Sequence, residues 1–218
     1  MLLEGAKLKI SEIPEPTIMR LTVYARCLTD LVKQNVPVVS SEKLANEAGV
    51  NAAQVRKDLS YLGSFGRRGV GYETNHLLNK ISVCLGLTKE RSIVIVGVGK
   101  LGGALLGYQG FLEKGFKMVA AFDTDKRRIG SNISGIEVID LERIDEIIKK
   151  KNVEIGIVAV PAEAAQKVAD RLVAAGIKSI LNFAPVVVKV PASIHLRRVD
   201  LSSELEILSH YLNSTHKE

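Results

Sequence analysis

The chain has 218 residues, 46% of them hydrophobic and 25% charged, enough to bury a core and to hold one or two domains. Its formal net charge of +6 favours an anionic partner, although an excess of this size also occurs in proteins that bind none, so the placement of the charge decides. The longest apolar runs are too short to cross a bilayer and the N-terminus lacks the pattern of a secretory signal, so a cytoplasmic protein with no membrane partner is expected. Cys27 and Cys84 sit in no CxxC and beside no histidine cluster, which points to buried, inert thiols and to no metal.

Patterning changes character near residue 85, and a first domain is expected over residues 1–85. Within it, "SSEKLANEAGVNAAQVRKDLSYLG" predicts a short helix, a turn at Gly49 and Val50, and a second helix that Asn51 caps with Gln54 at the capping-box position. Val55, Leu59 and Leu62 form one apolar stripe on that second helix, spaced to face a core. The opposite face carries Ala53, Lys57, Ser60 and Tyr61, flanked by Gln54 and Arg56. Small and polar side chains suit base edges, and the cations and the tyrosine suit phosphates. The following "GSFGRRGVGYE" reads as a hairpin punctuated by Gly63, Gly66, Gly69 and Gly71 and carrying Arg67 and Arg68. From Arg56 to Tyr72 there are four basic residues and one acid, Asp58. Helix, turn, helix and basic wing predict a winged helix-turn-helix DNA-binding domain. The alternative is a dimerisation or lid module whose charges are merely solvated.

A second domain is expected over residues 86–200. The stretches "SIVIVG", "KMVAAFD", "IEVID", "EIGIVAVP" and "SILNFAP" read as strands, as does "SIHLRRVD" less regularly. Helices are expected from about Leu101, Leu141 and Ala162. Strands apolar at nearly every position need cover on both faces, which predicts an α/β, doubly wound parallel sheet. In "SIVIVGVGKLGGALL" Gly97, Gly99 and Gly102 follow a strand and open a helix, and Asp123 ends the next strand 21 residues beyond Gly102. That context is the Rossmann dinucleotide fingerprint. Gly97 permits the tight turn, Gly99 lets backbone approach the pyrophosphate, and Gly102 lets helix and strand pack closely. The N–H groups from Val98 through Lys100 and Leu101 to Gly102 surround the phosphates, and Asp123 accepts from the adenosine ribose. A carboxylate there repels a 2′-phosphate, so NAD+ and NADH are favoured over their phosphorylated forms. Lys126, Arg127 and Arg128 just beyond are either a solvated turn or cations that blunt that preference.

The nicotinamide half belongs at the carboxyl ends of the later strands, where "VAVPAEAAQ" brings Pro161 and "ILNFAPV" brings Asn182. Either segment lines the pocket or is plain turn chemistry. No catalytic set accompanies them: His76 falls in the linker, His195 on a late strand, His210 and His216 in the C-terminal segment, and none pairs with a motif carboxylate or lysine. After the last strand about twenty residues remain, too few for a substrate domain. They predict a helix over 201–218 with Leu201, Leu205, Leu208 and Leu212 on one narrow stripe, which packs on its own domain or on another surface. These features together favour a protein that reads a dinucleotide over one that turns it over. The alternatives are a small NAD-dependent oxidoreductase and, further off, a CoA-binding module.

Several of these motifs, "NAAQVRKDLSYLGSFGRRGVGY", "VGVGKLGGALLGYQGF", "FDTD", "VPAEAAQ", "ILNFAP" and "RRVDLSSELEILSHYL", resemble those of the Rex family of redox-sensing transcriptional repressors. The likeness runs from about Thr17 to Tyr211. It implies a homodimer that binds palindromic double-stranded operator DNA and is released when NADH outcompetes NAD+. It also implies that Lys57 and Tyr61 belong to the reading helix, Arg67 and Arg68 to the wing, and that the C-terminal helix is domain-swapped into the partner subunit. Three polar residues are expected to bridge the domains as a switch: Arg26 on the first helix, Tyr108 on the helix after the glycines, and Asp200 before the C-terminal helix. Arg26 wants a carboxylate or phenol if it is buried, and Asp200 is otherwise a plain helix cap. Leu62 stands where many relatives carry an aromatic, which bears on local packing.

Overall fold

A computed structural model describes residues 13–63, 66–67 and 69–214. Arg68 of the expected wing and His216 lie outside the described residues. The chain divides into two compact units, Met1–Lys89 and Glu90–Glu218.

In the first unit, helix α1 (Glu15–Lys33) follows Pro14 and buries Leu21, Tyr24, Ala25, Leu28 and Leu31, the three-to-four spacing of one helical face. Against it pack Leu44 of α2 (Ser41–Ala48), Val55 and Leu59 of α3 (Ala52–Ser60), and Leu77 and Ile81 of α4 (Thr74–Cys84), with Leu62 closing the cluster. The turn between α2 and α3 forms as the sequence predicts. Gly49 takes a left-handed φ of 67°, and the Val50 N–H returns to the Ala45 carbonyl at 3.0 Å. The Asn51 side chain then accepts from the Gln54 N–H at 2.8 Å. The capping box is only half made, because the Gln54 amide donates instead to Asp58 at 2.9 Å. Strand β1 (Val38–Val39) pairs antiparallel with β2 (Tyr72–Glu73). The hairpin leading into β2 closes through an Arg67–Gly71 bridge, with Arg67 N–H donating to Gly71 O at 2.9 Å. Gly71 sits at φ 110° against the Val39 carbonyl, where any Cβ would collide. His76 belongs to the first turn of α4 rather than to a linker, since Glu73 caps that helix by accepting from the N–H groups of Asn75 and His76.

The second unit is one sheet in the order β5–β6–β4–β3–β7–β8–β9. It comprises β3 (Arg91–Val96), β4 (Phe116–Asp123), β5 (Asn132–Ile133), β6 (Ile136–Asp140), β7 (Ile155–Val158), β8 (Ser179–Asn182) and β9 (His195–Arg198). All neighbours run parallel except the short β5, which pairs antiparallel with β6. Along β3 successive side chains go to opposite faces. Val94 and Val96 meet α7 (Ile144–Lys150) and α8 (Ala162–Ala174) through Ile144, Ile147, Val168 and Leu172. Ile93 and Ile95 meet Leu105 and Leu106 of α5 (Lys100–Leu106) and Phe111 of α6 (Gln109–Glu113). Both faces are therefore covered, which is why these strands tolerate apolar residues at every position. The chain order reverses direction at β3, so the crevice beyond its carboxyl end is where such a sheet takes a ligand.

Helix α9 (Leu201–Ser214) ends the described chain, and none of its side chains is buried. Leu201, Leu205 and Leu208 are 62%, 68% and 57% exposed, so the apolar stripe does not pack on its own domain.

Candidate functional site

The glycine turn after β3 is built as its spacing requires. Gly97 has a φ of 93°, and a Cβ on it would stand 2.5 Å from the Ala159 carbonyl oxygen. A Cβ on Gly102 would run into the Gly97 carbonyl. Gly99 has nothing within 4 Å on its Cβ side, so its backbone is open to approach. Lys100, Leu101 and Gly102 occupy the first turn of α5, where N–H groups lack intrahelical partners, with Lys100 and Leu101 exposed.

Asp123 ends β4 at 8% exposure and ties that strand to the turn. Its Oδ2 accepts from the Val98 N–H at 2.8 Å and from Arg128 at 3.2 Å. Its Oδ1 accepts from the N–H groups of Thr124 and Asp125. Burial raises the Asp123 carboxyl, but the bonds from Asp125, Val98, Arg128 and Thr124 outweigh it and hold the group below the usual carboxylate value. Arg128 is thus paired with Asp123 rather than a freely solvated cation. Arg127 pairs with Asp125 and lowers its pKa to about 2.

Thr124 and Arg128 are among the residues that line a cavity of about 500 Å³. Gly97, Gly99 and Asp123 form one side, and Pro161, Lys167 and Arg171, on or just before α8, form the other. Arg171 also grips Glu142, donating to Oε1 at 2.8 Å, and so closes the end of the cavity beyond β6. Sequence reasoning missed Lys167 and Arg171. Their signal was the i, i+4 spacing on the helix that follows Pro161. Asn182 is buried at the end of β8, and its side chain is held within its own loop. It donates to the carbonyls of Ala184 and Val186 and accepts from the Ala184 N–H. The Asn182 side chain thus makes the turn that shapes this loop. None of His76, His195 and His210 lines this cavity, and the described residues contain no cluster of three or more His, Cys, Asp or Glu side chains able to hold a metal.

In the first unit, Val55, Leu59 and Leu62 are buried, so the opposite face of α3 is the open one. Ala53, Arg56, Lys57, Ser60 and Tyr61 are exposed and Gln54 is half-buried. Arg56 pairs with Glu42 at 3.2 Å, an exposed contact worth little. Arg67 is exposed at the hairpin. Asp58 does not offset this positive surface. It is fully buried, bonded by Thr17, Arg20, Tyr24 and Gln54. Burial raises its carboxyl, and the bonds led by Arg20 overcome that and leave it below the usual value. Burial beside this carboxylate pushes the Tyr24 phenol up.

The three expected switch residues differ in setting. Arg26 is exposed on α1. Tyr108 is not on the helix after the glycines, because α5 ends at Leu106 and Tyr108 caps α6. There it is 59% exposed and stacks edge-on to Phe111 at 5.1 Å. Asp200 accepts from the N–H groups of Ser202 and Ser203 at the start of α9 and pairs with Arg198 at 3.4 Å. These contacts, the Ser203 N–H first, lower its pKa.

Residues 88–186 match the family model described as "CoA binding domain", and residues 12–60 match "Putative DNA-binding protein N-terminus". The redox-sensing transcriptional repressor Rex of Streptomyces coelicolor is 52% identical over 199 residues, spanning 91% of this chain and 77% of that protein. The protein of the same name from Syntrophomonas wolfei is 49% identical over 205 residues, spanning 94% and 98%. Among solved structures, RSP in complex with β-NAD+ and operator DNA is 40% identical with a TM-score of 0.89, covering 93% of this chain and 94% of that one. RSP in complex with β-NADH is 38% identical with a TM-score of 0.84, covering 94% and 96%. With identities near one half sustained over nine-tenths of its length, the chain belongs to the Rex family of redox-sensing transcriptional repressors.

Proposed function

We propose that the protein is a cytoplasmic, homodimeric transcriptional repressor, not an enzyme, that holds palindromic double-stranded operator DNA and lets it go when NADH replaces NAD+. The carrying observation is the coexistence, in one Rex-family chain, of an open, basic reading helix with a glycine turn bonded to the buried Asp123 carboxylate at the end of the next strand. The solved relative bound to β-NAD+ and operator DNA, and its counterpart bound to β-NADH, support both ligand assignments. Ala53, Gln54 and Ser60 of α3 enter the major groove, while Arg56, Lys57, Tyr61, Arg67 and Arg68 meet phosphates. Gly97 through Gly102 hold the pyrophosphate, Asp123 holds the adenosine ribose, and Pro161 with the Asn182 loop borders the nicotinamide. Helix α9 inserts its leucine stripe into the second subunit, which joins two reading helices for a two-fold operator. The test is a mobility-shift titration on a palindromic duplex with each cofactor form. Release by NADH but not by NAD+ is expected, whereas NADH consumption with a carbonyl substrate would favour an oxidoreductase.

Lys57→Ala, Arg67→Ala and Arg68→Ala should each flatten the salt dependence of operator binding, by about 0.9 in log-log slope for every phosphate left without its cation. NADH affinity should stay constant. An unaltered slope in the triple variant removes this face from the footprint.

The switch is assigned to Arg26, Tyr108 and Asp200, whose polar groups exchange partners as the cofactor changes oxidation state. A ligand shifts DNA binding only through its differential affinity for two conformations. Tyr108→Phe should therefore keep both binding activities and lose coupling between them. Full NADH-driven release by that variant rejects the assignment.

A further inference from the structure

Asp58 is part of the reading helix yet faces away from the open surface, and four side chains converge on it. Thr17 Oγ1 donates to Oδ1 at 3.0 Å, Gln54 Nε2 to Oδ1 at 2.9 Å and Tyr24 OH to Oδ2 at 2.9 Å. Arg20 spans both oxygens, Nε to Oδ2 at 2.6 Å and NH2 to Oδ1 at 2.7 Å. Three of the four come from α1. Helix α3 is nine residues long, too short to hold itself, and depends on this tertiary support. Its apolar stripe fixes how closely it packs, but apolar contact is non-directional and sets its rotation about its own axis weakly. A two-toothed guanidinium–carboxylate fork is directional and sets that rotation.

The same carboxylate orients Gln54. An ionised carboxylate only accepts, so the Gln54 amide must present its NH2 to Asp58 and turn Oε1 away. No described residue donates to that oxygen. Gln54 is half-buried and shares the first turns of α3 with the exposed Ala53 and Lys57, so it stands where the reading face meets the buried one, and its tethered amide offers that oxygen as an acceptor. In a major groove a fixed acceptor pairs with the N6 amine of adenine or the N4 amine of cytosine, and is repelled by guanine O6 and N7 and by thymine O4. We propose that Asp58 is a positioning residue for operator recognition, fixing the rotation of α3 and aiming Gln54 Oε1 at an exocyclic amine of the operator.

This inference rests on the repressor reading. The experiment first selects an operator from a random duplex pool with the full chain, and failure to select any duplex ends the repressor reading itself. Each adenine of a half-site is then replaced by purine and each cytosine by its 4-deamino analogue, deleting one amine at a time. At one base pair the deletion should weaken binding about fivefold to tenfold, and that penalty should vanish in Gln54→Ala. Asp58→Asn keeps the volume but allows the amide to turn either way. It should lower the affinity of the active fraction, measured by stoichiometric titration, and shrink the penalty at that same pair while NADH affinity stays constant. A merely structural role would lower the melting temperature and the active fraction and leave the base profile intact. Arg20→Lys, which keeps the charge and withdraws the fork, should act in the same direction if Asp58→Asn does not fold. The inference is overturned if every amine penalty survives in Gln54→Ala, or if the profile is unchanged in Asp58→Asn or, where that variant does not fold, in Arg20→Lys.

Discussion

Gly102→Val should abolish measurable NADH binding while leaving the first unit folded. Its side chain would enter the space of the Gly97 carbonyl, and Gly97 cannot retreat because it lies in a left-handed conformation against Ala159 and Val160. The turn must open, at about 1–3 kcal/mol of strain, and with it goes the backbone surface meant for the pyrophosphate. A loss of at least about a hundredfold in Kd is expected by calorimetric titration. Gly99→Ala is the informative control. Its φ of −71° suits any residue and its Cβ would meet nothing within 4 Å, so the unliganded protein should keep its stability and lose affinity only through the crowded ligand. If Gly99→Ala binds NADH as tightly as the unmutated chain, backbone approach at that position is not part of binding.

The second large effect is on stability. Asp58→Ala takes the fork from the part-exposed Arg20 guanidinium and strands the buried Tyr24 and Thr17 hydroxyls, at about 1–3 kcal/mol for each buried group left unsatisfied. Whole domains hold only about 5–15 kcal/mol, so denaturant unfolding of the first unit should begin at far lower concentration or lose its cooperative transition. The carboxyl's native pKa lies below its unfolded value. Its contribution is therefore complete above about pH 4, where the unfolded group is ionised, and disappears as pH falls through the lower native value. The unmutated first unit should weaken across that acid range, and Asp58→Asn should weaken less. Parallel acid profiles for the two would show that Asp58 is not the group responsible.

What is legible in the sequence is local. The strand, glycine turn and helix from Ser92 to Leu106 carry their own signals, as do Gly49 and Asn51, because each conformation is dictated by residues within one turn of it. The sequence shows Asp58 only as one acid among four basic residues, because its partners Thr17, Arg20 and Tyr24 lie 34 to 41 residues away. A signal exists nonetheless: Asp58 falls between Val55 and Leu59 on the buried stripe, and Arg20 and Tyr24 are one turn apart on α1. Spacing gives Gln54 half of a capping box, but the nearby carboxylate competes for its amide and wins. Tyr108 reads as part of a helix because the apolar pattern runs on through Phe111 and Leu112, although Gly107 is the local stop signal that caps α5 after Leu106. The stripe on α9 is visible as periodicity, which states that a face is apolar and is silent about what it meets.

Asp123 has one further consequence. NAD+ and NADH share the adenosine and the pyrophosphate and differ only at the nicotinamide ring. On the proposed assignment, the glycine turn and the Asp123 carboxylate, held in place by Val98, Thr124 and Asp125, serve the shared half. Whatever they contribute multiplies both affinities by one factor and cancels from the quotient. Their strength still matters, because it sets the total pool at which the site is always filled. Below that pool the occupancy of each form follows its own concentration. Above it, every gain by one form is a loss by the other, and only their proportion remains as a variable. A tight grip on the half that carries no redox information is thus what turns a concentration gauge into a ratio gauge.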